Sequence, residues 1–101
     1  MKRIIMKRVI EGHRYNTENA TLLADNVYWD GHNMERSGRN AWLYRTHNGR
    51  YFVVRGSFWQ GERDTLTPVS PEEARALYEE QLPEHTVPYA EAFPEVEIID
   101  A

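Results

Sequence analysis

Two aromatic-rich runs, Ala41–Arg45 and Tyr51–Gly56, are separated by a segment centred on His47-Asn48-Gly49. Asn-Gly between β-rich runs is the strongest short-range hairpin signal, because both residues accept the positive φ of tight hairpin turns. Trp, Tyr, Phe and Val fill the runs, and such side chains suit a pleated, half-buried surface. Side chains alternate faces along a strand. Trp42 and Tyr44 therefore share one face, and Leu43 takes the other. On the return run Phe52 and Val54 share one face, with Tyr51 and Val53 opposite. Apolar mass on both faces predicts the centre of a sheet and not its edge.

The rest of the chain is read around that ribbon. Lys7–Ile10, Glu11-Gly12 and His13–Asn16 form a small hairpin with Gly12 in the turn, and Val9 and Tyr15 are its expected core contacts. Asn16 or Thr17 can cap a following short helix. There Ala20, Leu23 and Ala24 fall at i, i+3, i+4. Val27-Tyr28-Trp29 reads equally as a strand or as a loop, Asp30–Asn33 as a turn, and Met34–Asn40 as a polar loop. Ser57–Asp64 is a polar loop carrying Phe58 and Trp59. Thr65–Val69 is a short strand, and Ser70-Pro71-Glu72-Glu73 is the clearest helix start. It combines a Ser cap, Pro at the first helical position and Glu73 to close a capping box. Ala74, Leu77, Tyr78 and Gln81 continue at helical spacing, with Leu82 beside them, and Pro83 stops the run. Beyond it lie one helical turn near Tyr89–Phe93 and an extended Glu95–Asp100.

At 101 residues the chain is a single domain by length. No cysteine is present, which excludes disulfides, thiol catalysis and Cys-based zinc sites. No apolar run approaches the roughly 18 residues of a membrane helix. The basic start, MKRIIMKRVI, lacks the apolar region and cleavage site of a signal peptide, so a cytoplasmic location is expected. The net charge of -4 is unevenly spread. Residues 1–14 hold five bases against one acid, residues 15–61 five Arg against four acids, and residues 62–101 two Arg against eleven acids. An acidic C-terminal third reads as a solvated face, or as a surface made to meet a basic partner.

Catalytic arrangements are not legible. His13, His32, His47 and His85 show neither i, i+4 spacing nor an H-E-x-x-H pattern, so no metal site or cofactor is expected. Ser37, Ser57 and Ser70 lack a strained-elbow context, and Ser70 is used as a cap. Glu72-Glu73 and Glu79-Glu80 have the spacing of a solvated helix face. The glycines are isolated turn residues, not a phosphate-cradling loop. Arg36, Arg39, Arg45, Arg50 and Arg55 interleave with Trp42, Tyr44 and Tyr51. Such a set can stack and neutralise single-stranded nucleic acid, or form an aromatic core with cross-strand Arg partners.

Three stretches carry a resemblance. Lys7–Ala20 (KRVIEGHRYNTENA) is similar to an N-terminal signature, roughly I-x-G-K-x-Y-D-T-E-T-A. Leu43-Tyr44-Arg45-Thr46 with Gly49, Tyr51 and Phe52 resembles an L-Y-R-T-x-x-G-x-[YF]-F hairpin. Thr67–Ala74 (TPVSPEEA) resembles a closing strand and E-E-A helix. Together they look like a family of small bacterial and phage proteins without an assigned activity, over about residues 7–82. The chain departs from it at His13 for Lys, Asn16 for Asp and Asn19 for Thr, and its acidic tail lies outside the pattern. The resemblance implies a mobile-element accessory role, such as inhibiting a host defence complex as anti-CRISPR proteins do. It brings no functional residue with it.

The expected architecture is α+β: a mostly antiparallel sheet of four or five strands, with a short helix and one longer C-terminal helix packed on one face. Residues 1–82 form the domain and residues 83–101 an acidic, proline-containing extension. The expected function is a non-enzymatic, protein-binding phage inhibitor of a nucleic-acid-handling host complex in the bacterial cytoplasm. Its partner contacts would be Phe58, Trp59, Glu62, Asp64, Glu79, Glu80 and Glu84. The alternative is a single-stranded nucleic-acid binder using Arg45, Arg55, Trp42 and Tyr44. The sequence leaves the oligomeric state open, a dimer included.

Overall fold

The structure, a computed structural model, describes residues 5–26, 39–57 and 63–100, with the backbone alone at Arg39 and Ser57. Val27–Trp29, the Asp30–Asn33 turn, residues 34–38 and residues 58–62 lie outside the described residues.

Lys7–Ile10 (β1) and His13–Asn16 (β2) form the expected hairpin, with Ile10 opposite His13 and Lys7 opposite Asn16. Its two-residue turn has φ of 51° at Glu11 and 78° at Gly12. Positive φ at both central residues is the type I′ signature that matches strand twist. Tyr15 is buried as expected. Val9 is not: it pairs with Arg14 on the outward side and is 63% exposed, while Met6 and Ile10 point inward instead.

The five-stranded sheet is antiparallel throughout, in the order β6-β5-β4-β3-β7. Its strands are β3 (Thr21–Asp25), β4 (Arg39–Arg45), β5 (Tyr51–Ser57), β6 (Thr65–Val69) and β7 (Glu84–His85). β3 to β6 are a meander, and the chain then crosses the helical face to add β7 beside β3. The central ribbon is in the expected register, with Trp42 opposite Val54 and Tyr44 opposite Phe52. Its turn differs in kind from the expectation. The Gly49 N–H donates to the Thr46 carbonyl (2.9 Å), the Thr46 N–H donates to the Arg50 carbonyl (2.7 Å), and only Gly49 has positive φ (87°). This is a three-residue loop, a turn over His47-Asn48 followed by a left-handed Gly. Pro68 lies in β6, an edge strand, where a missing N–H costs no ladder bond.

The expected first helix is a strand. Asn16 Oδ1 accepts from the Glu18 N–H (3.0 Å), a local turn and not a cap. Thr17 binds Met6 twice, accepting from its N–H (3.0 Å) and donating to its carbonyl (3.3 Å). The register of β3 against β4 then slips between Leu22 and Ala24, a β-bulge at Leu23. A bulge breaks the two-residue period. It sends Leu23 and Ala24 into the same core, which is how a strand acquires helix-like spacing.

The expected longer C-terminal helix is also corrected. The α-helix α1 covers only Pro71–Ala76, and the chain continues as a π-helical turn over Leu77–Gln81. The Leu82 N–H donates to the Leu77 carbonyl five residues back (2.9 Å). The wider turn carries Leu82 (2% exposed) into the core and leaves Gln81 outside, reversing what an α-helix would do with this stripe. The capping box forms as read: the Glu73 N–H donates to Ser70 Oγ (3.1 Å), and the Ser70 N–H to Glu73 Oε1 (3.4 Å).

The two sheet faces carry separate cores. On the hairpin side Tyr15, Trp42, Tyr44, Phe52, Val54 and Leu66 pack together, with Tyr44 and Phe52 stacked at 5.0 Å. On the helical side Leu23, Leu43, Val53, Leu77, Tyr78 and Phe93 pack together. Residues 84–93 belong to this second core and are no appendage. β7 joins the sheet, the Thr86 N–H donates to the Leu23 carbonyl (2.9 Å), and helix α2 (Tyr89–Ala92) delivers Ala92 and Phe93 at 0% and 1% exposure. The expected boundary at residue 82 thus cuts through the core. Glu95–Asp100 has no regular structure and is exposed apart from half-buried Val96.

Two outcomes check this packing. Phe93→Ala is expected to destabilise the domain by about 3–5 kcal/mol, as for other buried aromatics. Chemical denaturation measures this, and a loss below about 0.5 kcal/mol would instead mark a surface appendage. Glu11→Asn is expected to stabilise by about 0.5–1 kcal/mol, because Asn tolerates the left-handed turn conformation better than Glu.

Candidate functional site

The chain from α1 onward builds one outer layer with a single charge sign. Between residues 71 and 100 there are nine carboxylate side chains, all exposed, and one Arg, the half-buried Arg75. They are held by an aromatic cluster beneath. Tyr78, buried under the π turn, stacks on the His85 ring at 3.8 Å and meets Tyr89 and Phe93 edge-on at 5.6 and 5.4 Å. The Tyr78 hydroxyl donates to the Val87 carbonyl (2.6 Å), and His85 Nε2 donates to the Tyr78 carbonyl (2.8 Å). The Tyr51 hydroxyl, rising from β5, donates to the Ala92 carbonyl (3.0 Å) and ties α2 to the sheet. A shallow groove of about 670 Å³ opens over this cluster, lined by Tyr78, Glu79, His85, Val87 and Tyr89.

One carboxylate is coupled to the groove. Glu79 Oε2 accepts from the Tyr89 hydroxyl at 2.7 Å. Burial raises the Tyr89 pKa above its ordinary value. The hydrogen bond and negative charge of Glu79 push it further up, and Arg75 opposes them. Burial likewise raises Tyr78. A phenol held protonated in the fold contributes stability below its unfolded pKa, and that contribution is lost as pH rises through the folded value.

The expected contact residues do not form one patch. Glu79, Glu80 and Glu84 are exposed on the helical layer, around the π turn and β7. Asp64 is exposed just before β6, at the opposite edge of the five-stranded sheet from β7. Four strand spacings separate those edges, about 19 Å. Phe58, Trp59 and Glu62 lie outside the described residues.

The Arg–aromatic set is divided by the sheet. Trp42 and Tyr44 are 1% and 2% exposed in the hairpin-side core, so they offer no stacking surface. Arg45 and Arg55 fall on the other face by alternation. Arg45 lies 6.0 Å from the Tyr51 ring centre and 3.7 Å from the Glu95 carboxylate. Alternation alone separates these residues in the sequence, and the burial of both faces closes the aromatic one. Trp42, Tyr44, Arg45 and Arg55 therefore do not form a single binding face. What sequence reading missed is the Tyr78–His85–Tyr89 groove, since its residues adjoin only because β7 returns to the sheet.

Among the described residues no group of three or more His, Asp or Glu is placed to hold a metal ion, and no helix is long and apolar enough to cross a membrane. No family model matches the chain, and no curated protein or solved structure matches it either.

Absorbance titration of the tyrosines checks the groove. Tyr78 and Tyr89 are expected to ionise above the ordinary value near 10. Glu79→Gln is expected to bring Tyr89 back toward it, because the negative charge is gone. The folded protein is expected to lose stability as pH rises past the ordinary tyrosine range, less so in Tyr78→Phe.

Proposed function

We propose that this chain is a non-enzymatic protein-binding module whose acidic C-terminal layer meets a basic surface on a nucleic-acid-handling complex. The observation that carries this reading is the layer of nine exposed carboxylates against a single Arg. Groups built to hold phosphates attract carboxylates by the same Coulomb field, and complementary charge sets both encounter rate and specificity. Glu79, Glu80, Glu84 and Glu91 are also carried on packed elements, since the aromatic cluster ties the π turn, β7 and α2 together. Preorganised groups bind with less loss of conformational freedom.

A non-catalytic role fits how the reactive side chains of this layer are occupied. His85 is committed to Tyr78 through both its ring and Nε2, and Ser70 is committed to the helix cap. The narrower form of the proposal is a phage-encoded inhibitor acting in the bacterial cytoplasm on a host defence complex, as anti-CRISPR proteins do. It rests on the resemblance carried by Lys7–Ala20 and the central hairpin.

Affinity capture from bacterial lysate tests it. The wild-type chain is expected to enrich a component of a nucleic-acid-handling complex, and high salt to weaken the capture by screening. The triple charge reversal Glu79→Lys, Glu80→Lys, Glu84→Lys is expected to abolish it, and the double reversal Glu80→Lys, Glu84→Lys, which spares the Glu79–Tyr89 hydrogen bond, to weaken it at a melting temperature close to wild type. Undiminished capture by the triple variant, or wild-type capture insensitive to salt, would overturn the reading.

A further inference from the structure

A second concavity lies away from the acidic layer, where the Glu11-Gly12 turn of the first hairpin approaches the turn joining β4 to β5. It encloses about 420 Å³, within the range of small-ligand sites. Its basic lining residues are Arg14, Arg50, His13 and His47, with no Asp or Glu among the lining residues. In a chain whose net charge is -4, a cleft with two arginines and no Asp or Glu in its lining favours an anion.

Both rims are hairpin turns with fixed geometry. His13 Nδ1 donates to the Glu11 carbonyl at 3.1 Å, since a carbonyl can only accept, and this ties the imidazole to the rim. Opposite, Thr46 Oγ1 accepts the Arg50 N–H at 3.0 Å and anchors the backbone from which Arg50 projects. Asn16, also on the lining, uses its carbonyl oxygen on the Glu18 N–H and so offers its NH2 end as a donor. The cleft thus combines fixed donors and cations, the chemistry that recognises phosphate.

We infer that this cleft binds a small phosphorylated ligand, with its phosphate held between Arg14 and Arg50. The enclosed volume suits a compact anion, and the chain's negative balance opposes a long polyanion. The site is independent of the acidic layer, which lies on the other face of the sheet.

Isothermal titration calorimetry of the full chain with pyrophosphate, at low ionic strength, tests it. Saturable one-to-one binding is expected. Arg14→Gln and Arg50→Gln are each expected to weaken it by about tenfold, the scale of one lost charge-assisted hydrogen bond. Arg63→Gln makes the same charge change beyond the far end of the β5–β6 pair and is expected to weaken binding less than about twofold, as a screened remote charge does. Should a Gln variant melt early, Arg→Lys at the same position keeps the charge but loses the bidentate fork, and is also expected to weaken binding. No saturable binding by the wild type, or equal losses in all three Gln variants, would overturn the site. Tighter binding of a short oligothymidylate than of pyrophosphate, with the same dependence on Arg14 and Arg50, would replace the small ligand with single-stranded nucleic acid.

Discussion

Burial of the β4–β5 ribbon on both faces is the constraint that organises this molecule. An antiparallel sheet commonly leaves one face to solvent. Here Trp42, Tyr44, Phe52 and Val54 require cover on one side, and Leu43, Tyr51 and Val53 on the other. With about a hundred residues, one chain must supply both covers. Residues 5–20 provide the hairpin lid, whose Tyr15 reaches Phe52 edge-on at 5.5 Å. The residues after Val69 provide the helical lid. Its elements are too short to stand alone, and they persist because hydrogen bonds from the Tyr51 and Tyr78 hydroxyls tie them to the sheet and to each other. Removing either lid would expose a row of aromatic side chains to water.

The features legible in the sequence were those encoded over a few neighbouring residues. The first hairpin, the central ribbon, β6 and the Ser70 capping box all rest on turn and cap chemistry within a short window. The features that were not legible depend on register or on distant partners. Leu23 and Ala24 mimic a helical stripe because a bulge interrupts the alternation of β3. Gln81 and Leu82 exchange places because one π turn shifts the periodicity. Glu84–Phe93 reads as a polar, proline-punctuated tail, since its strand of two residues and its helix of four are shorter than any period can announce. Pairing with Ala24 and Asp25, far back in the chain, and packing against the sheet make them part of the domain.

The candidate surfaces follow the same division. Acidic side chains were legible as a bias of the C-terminal third, but not the aromatic groove that arrays them. Arg45 shows the reverse case. It looked like part of a cationic, aromatic face, yet it sits at the end of β4 against Tyr51 and Glu95, bracing the ribbon against the start of the tail. A Cβ at Gly49 would lie 3.4 Å from Arg45 Nη2, so the left-handed glycine of the central turn also leaves room for this guanidinium. The same residue type, five positions on, lines the open cleft instead. Position in the pleat and distance from a carboxylate decide which arginines are structural.

Charge segregation follows from the layered build. Among the described residues the hairpin lid holds Lys7, Arg8 and Arg14 against Glu11 and Glu18, whereas residues 71–100 hold nine carboxylates against Arg75. Arg45, at the end of β4, lies 3.7 Å from the Glu95 carboxylate of the tail. An uneven charge distribution orients an approaching partner more than it strengthens the final complex. The acidic layer and the basic cleft can therefore be occupied at once, by different chemistry, without competing for the same residues. Coupling between them would have to pass through the ribbon itself, whose interleaved side chains are packed too closely to shift independently.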